Sequence, residues 1–194
     1  MNERSSADRP PGPGTWLLAL AIVLAVVGVF REEQPLEPHA QPAPVSMEPA
    51  APVRLIVPTI DLRARVVPIE VEPDGVLFPP DDVDRVGWWK RSAEPGSESG
   101  QTLLTGHTVT SGDGVMDDLG KLRAGDPVRV KTSEGTISYE TTRTAVYSRA
   151  ELADNRERLF GQGREKNRLV LITCTDWDGD IYQSNVVVFA TPLP

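Results

Sequence analysis

Cysteine and histidine are almost missing from this chain, and their scarcity narrows its chemistry before any pattern is read. A single cysteine stands in 194 residues, which excludes an intrachain disulfide framework and a cysteine-based zinc cluster. Of the two histidines, His39 lies in a proline-rich stretch that builds no packed site. Any cysteine chemistry therefore falls to Cys174 and His107. Excess positive charge is missing as well. The formal net charge is −8 with no concentrated basic face, which argues against nucleic acid as a partner. Helical patterning is weak, confined to 115–122 and 150–160, and so a doubly wound parallel sheet is excluded. No internal repeat is evident.

What is present falls into four parts. Residues 1–15 form a short polar tail carrying Arg4 and Arg9, expected on the cytoplasmic side. Residues 16–30, WLLALAIVLAVVGVF, are uninterrupted apolar and small residues followed at once by Arg31, Glu32 and Glu33. Such a run enters a membrane, as a short transmembrane anchor or as the apolar region of a signal peptide. The anchor is the preferred reading, because charge follows directly and no clean cleavage site is in view. It predicts a single-pass protein with its N-terminus inside and its folded domain outside the cell membrane, with a secreted form as the alternative. Residues 31–52 are rich in Pro, Ala, Glu and Gln, the composition of an extended spacer.

The folded domain is expected over 53–194. Short β-branched and aliphatic segments recur there between Pro, Gly and Asp punctuation: 54–57, 65–71, 75–78, 101–105, 127–131, 136–146, 168–173 and 185–190. Eight short strands with little helix between them predict an all-β protein, a closed or nearly closed barrel. Two of these strands run directly into the scarce residues. The first leads into Thr-Gly-His-Thr (105–108) and the other into Leu-Ile-Thr-Cys (171–174). A strand end is a rigid place to hold a nucleophile and its base. A thiolate is the best nucleophile available near neutral pH for acyl transfer through a covalent intermediate, with an imidazole to move protons.

The order and spacing of these motifs resemble a sortase. They run Leu-Ile-Val-Pro (55–58), Pro-Asp-Gly-Val-Leu (73–77), Val-Gly-Trp-Trp (86–89), Glu-Pro-Gly (94–96), Thr-Gly-His-Thr (105–108), Leu-Ile-Thr-Cys (171–174) and Tyr-x-x-Asn-Val-Val-Val (182–188). The variety resembled is that of the class E and F enzymes of actinobacteria. The resemblance implies an eight-stranded sortase β-barrel after the linker and a cysteine transpeptidase of the Gram-positive cell surface. Such an enzyme cleaves a C-terminal sorting signal of the Leu-Pro-x-Thr-Gly type on surface proteins. It then joins the new carboxyl end to an amine of a cell-wall precursor or a pilin, with hydrolysis as a side reaction. Cys174 would be the nucleophile and His107 the acid and base, and no cofactor is called for. The alternative is a sortase-like barrel of weak or lost turnover that serves as a binding or scaffolding module.

One departure from the family pattern supports that alternative. Sortases usually supply an arginine from the strand after the cysteine, and here no arginine or lysine follows Arg168. In that strand the inward positions, alternating with period two, are Gln183 and Asn185 or their neighbours, and Asn185 is the expected substitute oxyanion donor. Arginines elsewhere, among them Arg63, Arg85, Arg91 and Arg149, are the other candidates. Thr105 and Thr173 either line the groove or fill the barrel, and Trp177 either gates the site or packs on the hairpin after Cys174. Asp176, Asp178 and Asp180 read as an acidic turn, not a calcium loop, because Ile181 stands where such a loop needs glycine and Val187 where it needs glutamate. No metal site is expected.

Overall fold

A computed structural model describes residues 47–72 and 76–194. The expected membrane segment at 16–30, the N-terminal tail and most of the spacer lie outside the described residues. Eight strands close into a barrel: β1 (Pro52–Val57), β2 (Leu62–Ile69), β3 (Arg85–Trp89), β4 (Gln101–Gly106), β5 (Pro127–Thr132), β6 (Thr136–Ser148), β7 (Arg168–Trp177) and β8 (Tyr182–Pro192). Around the barrel they run β1-β2-β3-β4-β7-β8-β6-β5, and β5 pairs back to β1. Two neighbouring pairs, β2 with β3 and β4 with β7, are parallel. The other pairs are antiparallel.

Burial along each strand follows from what covers its outer face. β5 (PVRVKT) alternates exposed and buried residues without a break, as a strand does when one face meets the core and the other meets water. β4 (QTLLTG) is buried at every position. Its inner face joins a core that includes Leu55, Val86, Leu104, Leu171 and Val188. Its outer face, with those of β7, β8 and β6, belongs to a second cluster of Leu103, Tyr147, Leu159, Val170, Val187 and Phe189. Two short helices, α1 (Arg149–Asp154) and α2 (Arg156–Phe160), contribute Leu152, Leu159 and Phe160 to that cluster. They occupy the stretch in which the sequence carries its second helical signal. Ser148 starts α1 with a capping box: its hydroxyl accepts from the Glu151 amide at 3.2 Å, and the Glu151 carboxylate accepts from the Ser148 amide at 2.8 Å. The stretch at 115–122 forms only a single 3-10 turn, Leu119–Lys121.

The expected strand at 75–78 is not found. Gly75 lies outside the described residues, Val76–Phe78 belong to no strand, and Phe78 is 54% exposed. The two prolines that follow, Pro79 and Pro80, cannot donate to a ladder. The eighth strand is instead β3, whose sequence RVGWW carries a central glycine that lowers its apparent strand propensity. That glycine is required by packing: a Cβ on Gly87 would lie 2.5 Å from Ile69 Cδ1 on the paired strand.

Candidate active site

The sheet register brings the two scarce residues together. β4 and β7 run parallel with Thr105 opposite Ile172, so His107, just past the end of β4, and Cys174, two residues beyond Ile172 on β7, come at the same end of the barrel. On the other side of β7, Cys174 is directly opposite Asn185 of β8, and Asn185 is opposite Tyr147 of β6. Paired residues share a face of a sheet, so Cys174, Asn185 and Tyr147 form one row across three strands. Tyr147 belongs to the outer cluster, which places the row on the barrel's outer face, at the edge of the surface covered by α1 and α2.

The imidazole is held from one side. His107 Nε2 lies 2.7 Å from the carbonyl oxygen of Pro80, in the segment that connects β2 to β3. A carbonyl only accepts, so Nε2 carries the proton in this arrangement, and Nδ1 is the nitrogen left to exchange one. Nδ1 has no hydrogen bond among the described residues. The loop that follows His107 is closed on itself. Asp117 accepts from the amides of Val109 (2.8 Å) and Gly114 (3.0 Å), and the Met116 amide donates to the His107 carbonyl at 3.0 Å. Glycine at 114 is needed for this closure, because a Cβ there would collide with Asp117 Oδ1 and meet the His107 carbonyl oxygen at 2.7 Å.

The thiol is half-buried at the edge of the covered face. Burial pushes the Cys174 pKa up, while a hydrogen bond from Asn185 and the field of Arg149 pull it back. The Asn185 amide lies 3.8 Å from Sγ and 3.3 Å from the Thr173 carbonyl oxygen. Strand β7 is tied to the histidine loop by hydroxyls. Thr173 Oγ1 donates to the Gly106 carbonyl (2.8 Å) and lies 2.7 Å from Thr108 Oγ1, and the Tyr182 hydroxyl donates to the Thr108 carbonyl at 2.9 Å. Relative placement of Cys174 and His107 is thus fixed by bonds on both sides of the gap between β4 and β7.

The remaining expected site residues take these places. Thr105, 5% exposed, lies on the outer face beside Ile172, one alternate step before His107. Thr173, 3% exposed, alternates with Cys174 and has its hydroxyl engaged as described. Trp177, 48% exposed, pairs with Tyr182 on the hairpin with ring centroids 4.9 Å apart. Gln183 is exposed and donates to Asp178. Asp178 also accepts from the amides of Asp180 and Ile181, each at 2.9 Å, which makes the acidic stretch a side-chain-bonded turn. Arg168 starts β7, six residues before Cys174. Its guanidinium is fixed there by Gln101 (2.6 Å), the Arg158 carbonyl (3.1 Å) and the Phe189 ring (4.4 Å to its centre). Pro80, Thr108, Asp117 and Tyr182 also support the site. Their contacts span loops, and no spacing in the sequence signals them.

A closed eight-stranded barrel with a thiol and an imidazole delivered by adjacent parallel strands defines a class of cysteine-centred β-barrels. Comparison with known proteins places the chain within it: a family model described as the sortase domain matches residues 55–193, and the chain belongs to the sortase family. A curated relative, Sortase D of Bacillus subtilis (strain 168), is 33% identical over 95 residues, which span 48% of this chain and 43% of that protein. The match thus covers less than half of the relative's length. Among solved structures, sortase C-1 of Actinomyces oris aligns with a TM-score of 0.56 at 21% identity, over 73% of each chain. Sortase A of Corynebacterium diphtheriae aligns with a TM-score of 0.58 at 20% identity, over 76% of this chain and 62% of that one. At these identities the structural likeness speaks to the fold.

Proposed function

We propose that this protein is a sortase-type cysteine transpeptidase that acts on a C-terminal sorting signal of the Leu-Pro-x-Thr-Gly type. The observation that supports the reading is the parallel β4/β7 register, which brings His107 and Cys174 to the same end of the barrel. Cys174 Sγ, as thiolate, attacks the carbonyl carbon of the scissile peptide bond, and the carbonyl π pair moves to oxygen. When that pair returns, the C–N bond breaks and the leaving amine takes a proton from His107. The product is a thioester on Cys174. An incoming amine gives a proton back to His107 as it attacks the thioester, and the thiolate departs. Water in the same position hydrolyses it.

With Nε2 held by the Pro80 carbonyl, Nδ1 is the nitrogen that serves both proton transfers. Asn185 supports the sulfur side of the site, and Thr173 holds β7 and the histidine loop in register. Trp177 and Gln183, both exposed, are placed to meet the signal peptide, while Thr105 is buried behind His107. The substrates are surface proteins bearing the signal. The acceptor is an amine of a cell-wall precursor or a pilin, and the segment at 16–30 anchors the enzyme in the cell membrane with its domain outside. Burial that raises the thiol pKa favours a second reading, a barrel of weak turnover used as a binding module. Incubating the protein with sorting-signal peptides and simple amines, with masses of products and protein read together, separates the two. A transpeptidase gives amine-coupled peptide that Cys174→Ala does not give. A binding module retains peptide without cleaving it.

A further inference from the structure

Resting on the transpeptidase reading above, we propose that Arg149, where β6 gives way to α1, supplies the positive charge that β8 lacks, stabilising the Cys174 thiolate and the oxyanion formed when it attacks. The row Cys174, Asn185, Tyr147 crosses β7, β8 and β6 on the outer face, and Ser148 is opposite Ser184. Arg149 therefore comes level with Gln183, the next residue of β8 on the face of Asn185. The residue follows the end of β6, which β8 separates from β7, one alternate step beyond the row that holds the thiol.

Its guanidinium is uncommitted. Arg149 is exposed and has no hydrogen bond or ion pair among the described residues. Two other arginines are committed elsewhere: Arg85 is paired with Asp82 at 2.8 Å, and Arg168 is fixed at the far end of β7. No arginine or lysine follows Arg168 in the chain. Of the charged groups, Arg149 is the one whose field lowers the Cys174 pKa. The other titratable groups around the thiol are His107 at the end of β4, Asp176 on β7, which accepts from Ser184 at 3.0 Å, and Tyr182 on β8. The Tyr182 pKa is raised, first by burial and then by the charges of Asp117 and Cys174. Arg149 is the guanidinium in this set. Asn185 already faces the Thr173 carbonyl and Sγ, so the developing charge on the substrate oxygen falls to the guanidinium. A planar fork of N–H donors on a long side chain suits that position.

Two readouts test this on the full chain, with Arg149→Gln and Arg149→Lys, and with Arg91→Gln as control because Arg91 is exposed and outside the site. The first is the pH midpoint of Cys174 alkylation by iodoacetamide, which needs no substrate. Arg149→Gln is expected to raise it at low salt, and Arg149→Lys to restore it. Added salt should raise the wild-type midpoint and leave that of Arg149→Gln in place, because an exposed cation is screened. The second is the single-turnover rate of thioester formation with a sorting-signal peptide. Arg149→Gln should slow it by about 100-fold, and Arg149→Lys should recover only part of the rate because lysine lacks the fork. An unchanged midpoint in Arg149→Gln, with melting unaltered, overturns the assignment. A wild-type protein that alkylates with the expected midpoint and salt response but never forms a thioester supports the field of Arg149 and overturns the transpeptidase reading instead.

Discussion

At the residue scale the site is a balance between burial and local charge on one sulfur. Burial raises the thiol pKa, so the neutral thiol dominates at pH 7 and alkylation should accelerate with pH to a midpoint above the ordinary thiol value. The sign for stability is the same: the unfolded chain ionises first, so this group's contribution is present below the ordinary thiol pKa and is lost as pH rises through the raised one. Asn185→Ala removes the hydrogen bond that opposes the burial effect. It should raise the alkylation midpoint further, and an unmoved midpoint would show that the 3.8 Å contact contributes nothing. The imidazole carries a separate prediction. Nitrogen-15 chemical shifts of neutral His107 should report the proton on Nε2, as the Pro80 carbonyl demands, and an Nδ1–H tautomer would place the working nitrogen on the wrong side.

At the scale of elements, two devices hold the site. The loop after β4 is closed by Asp117, whose carboxylate takes two backbone amides. Asp117→Ala should cost about 1.5–3 kcal/mol of stability if both bonds are lost, and should slow thioester formation more than it slows alkylation, because it loosens His107 and leaves the thiol in place. The capping box at Ser148 fixes the start of α1, beside Arg149. Ser148→Ala should cost about 1 kcal/mol, read as a lower denaturation midpoint. These devices differ in how openly the sequence shows them. The alternation of PVRVKT and the aliphatic runs into His107 and Cys174 state their strands directly, since period-two burial is a local property. The short strand RVGWW hides because its glycine is demanded by Ile69 on a neighbouring strand, a contact no local window contains. The closure by Asp117 and the cap on His107 from Pro80 hide for the same reason. Cys174 and His107 are legible by scarcity, whereas their supports are ordinary residues made special by the register.

At the scale of the whole molecule, the described barrel is complete without the N-terminal 46 residues: β1 starts at Pro52 and β5 closes against it. A chain beginning at Met47 should therefore unfold in one cooperative transition and keep the thiol reactivity of the full chain. Loss of the transition would mean that the segment before it contributes to the fold. The central claim is that the barrel presents Cys174 for acyl transfer with His107 at its side. Its most direct test is intact-mass analysis of the protein after brief mixing with a Leu-Pro-x-Thr-Gly peptide. The expected result is a mass increase equal to the peptide up to its threonine. That adduct should be absent in Cys174→Ala, form far more slowly in His107→Gln, and be discharged by an added amine. A wild-type protein that carries no adduct across a broad set of such peptides, while its thiol still alkylates, would contradict the account.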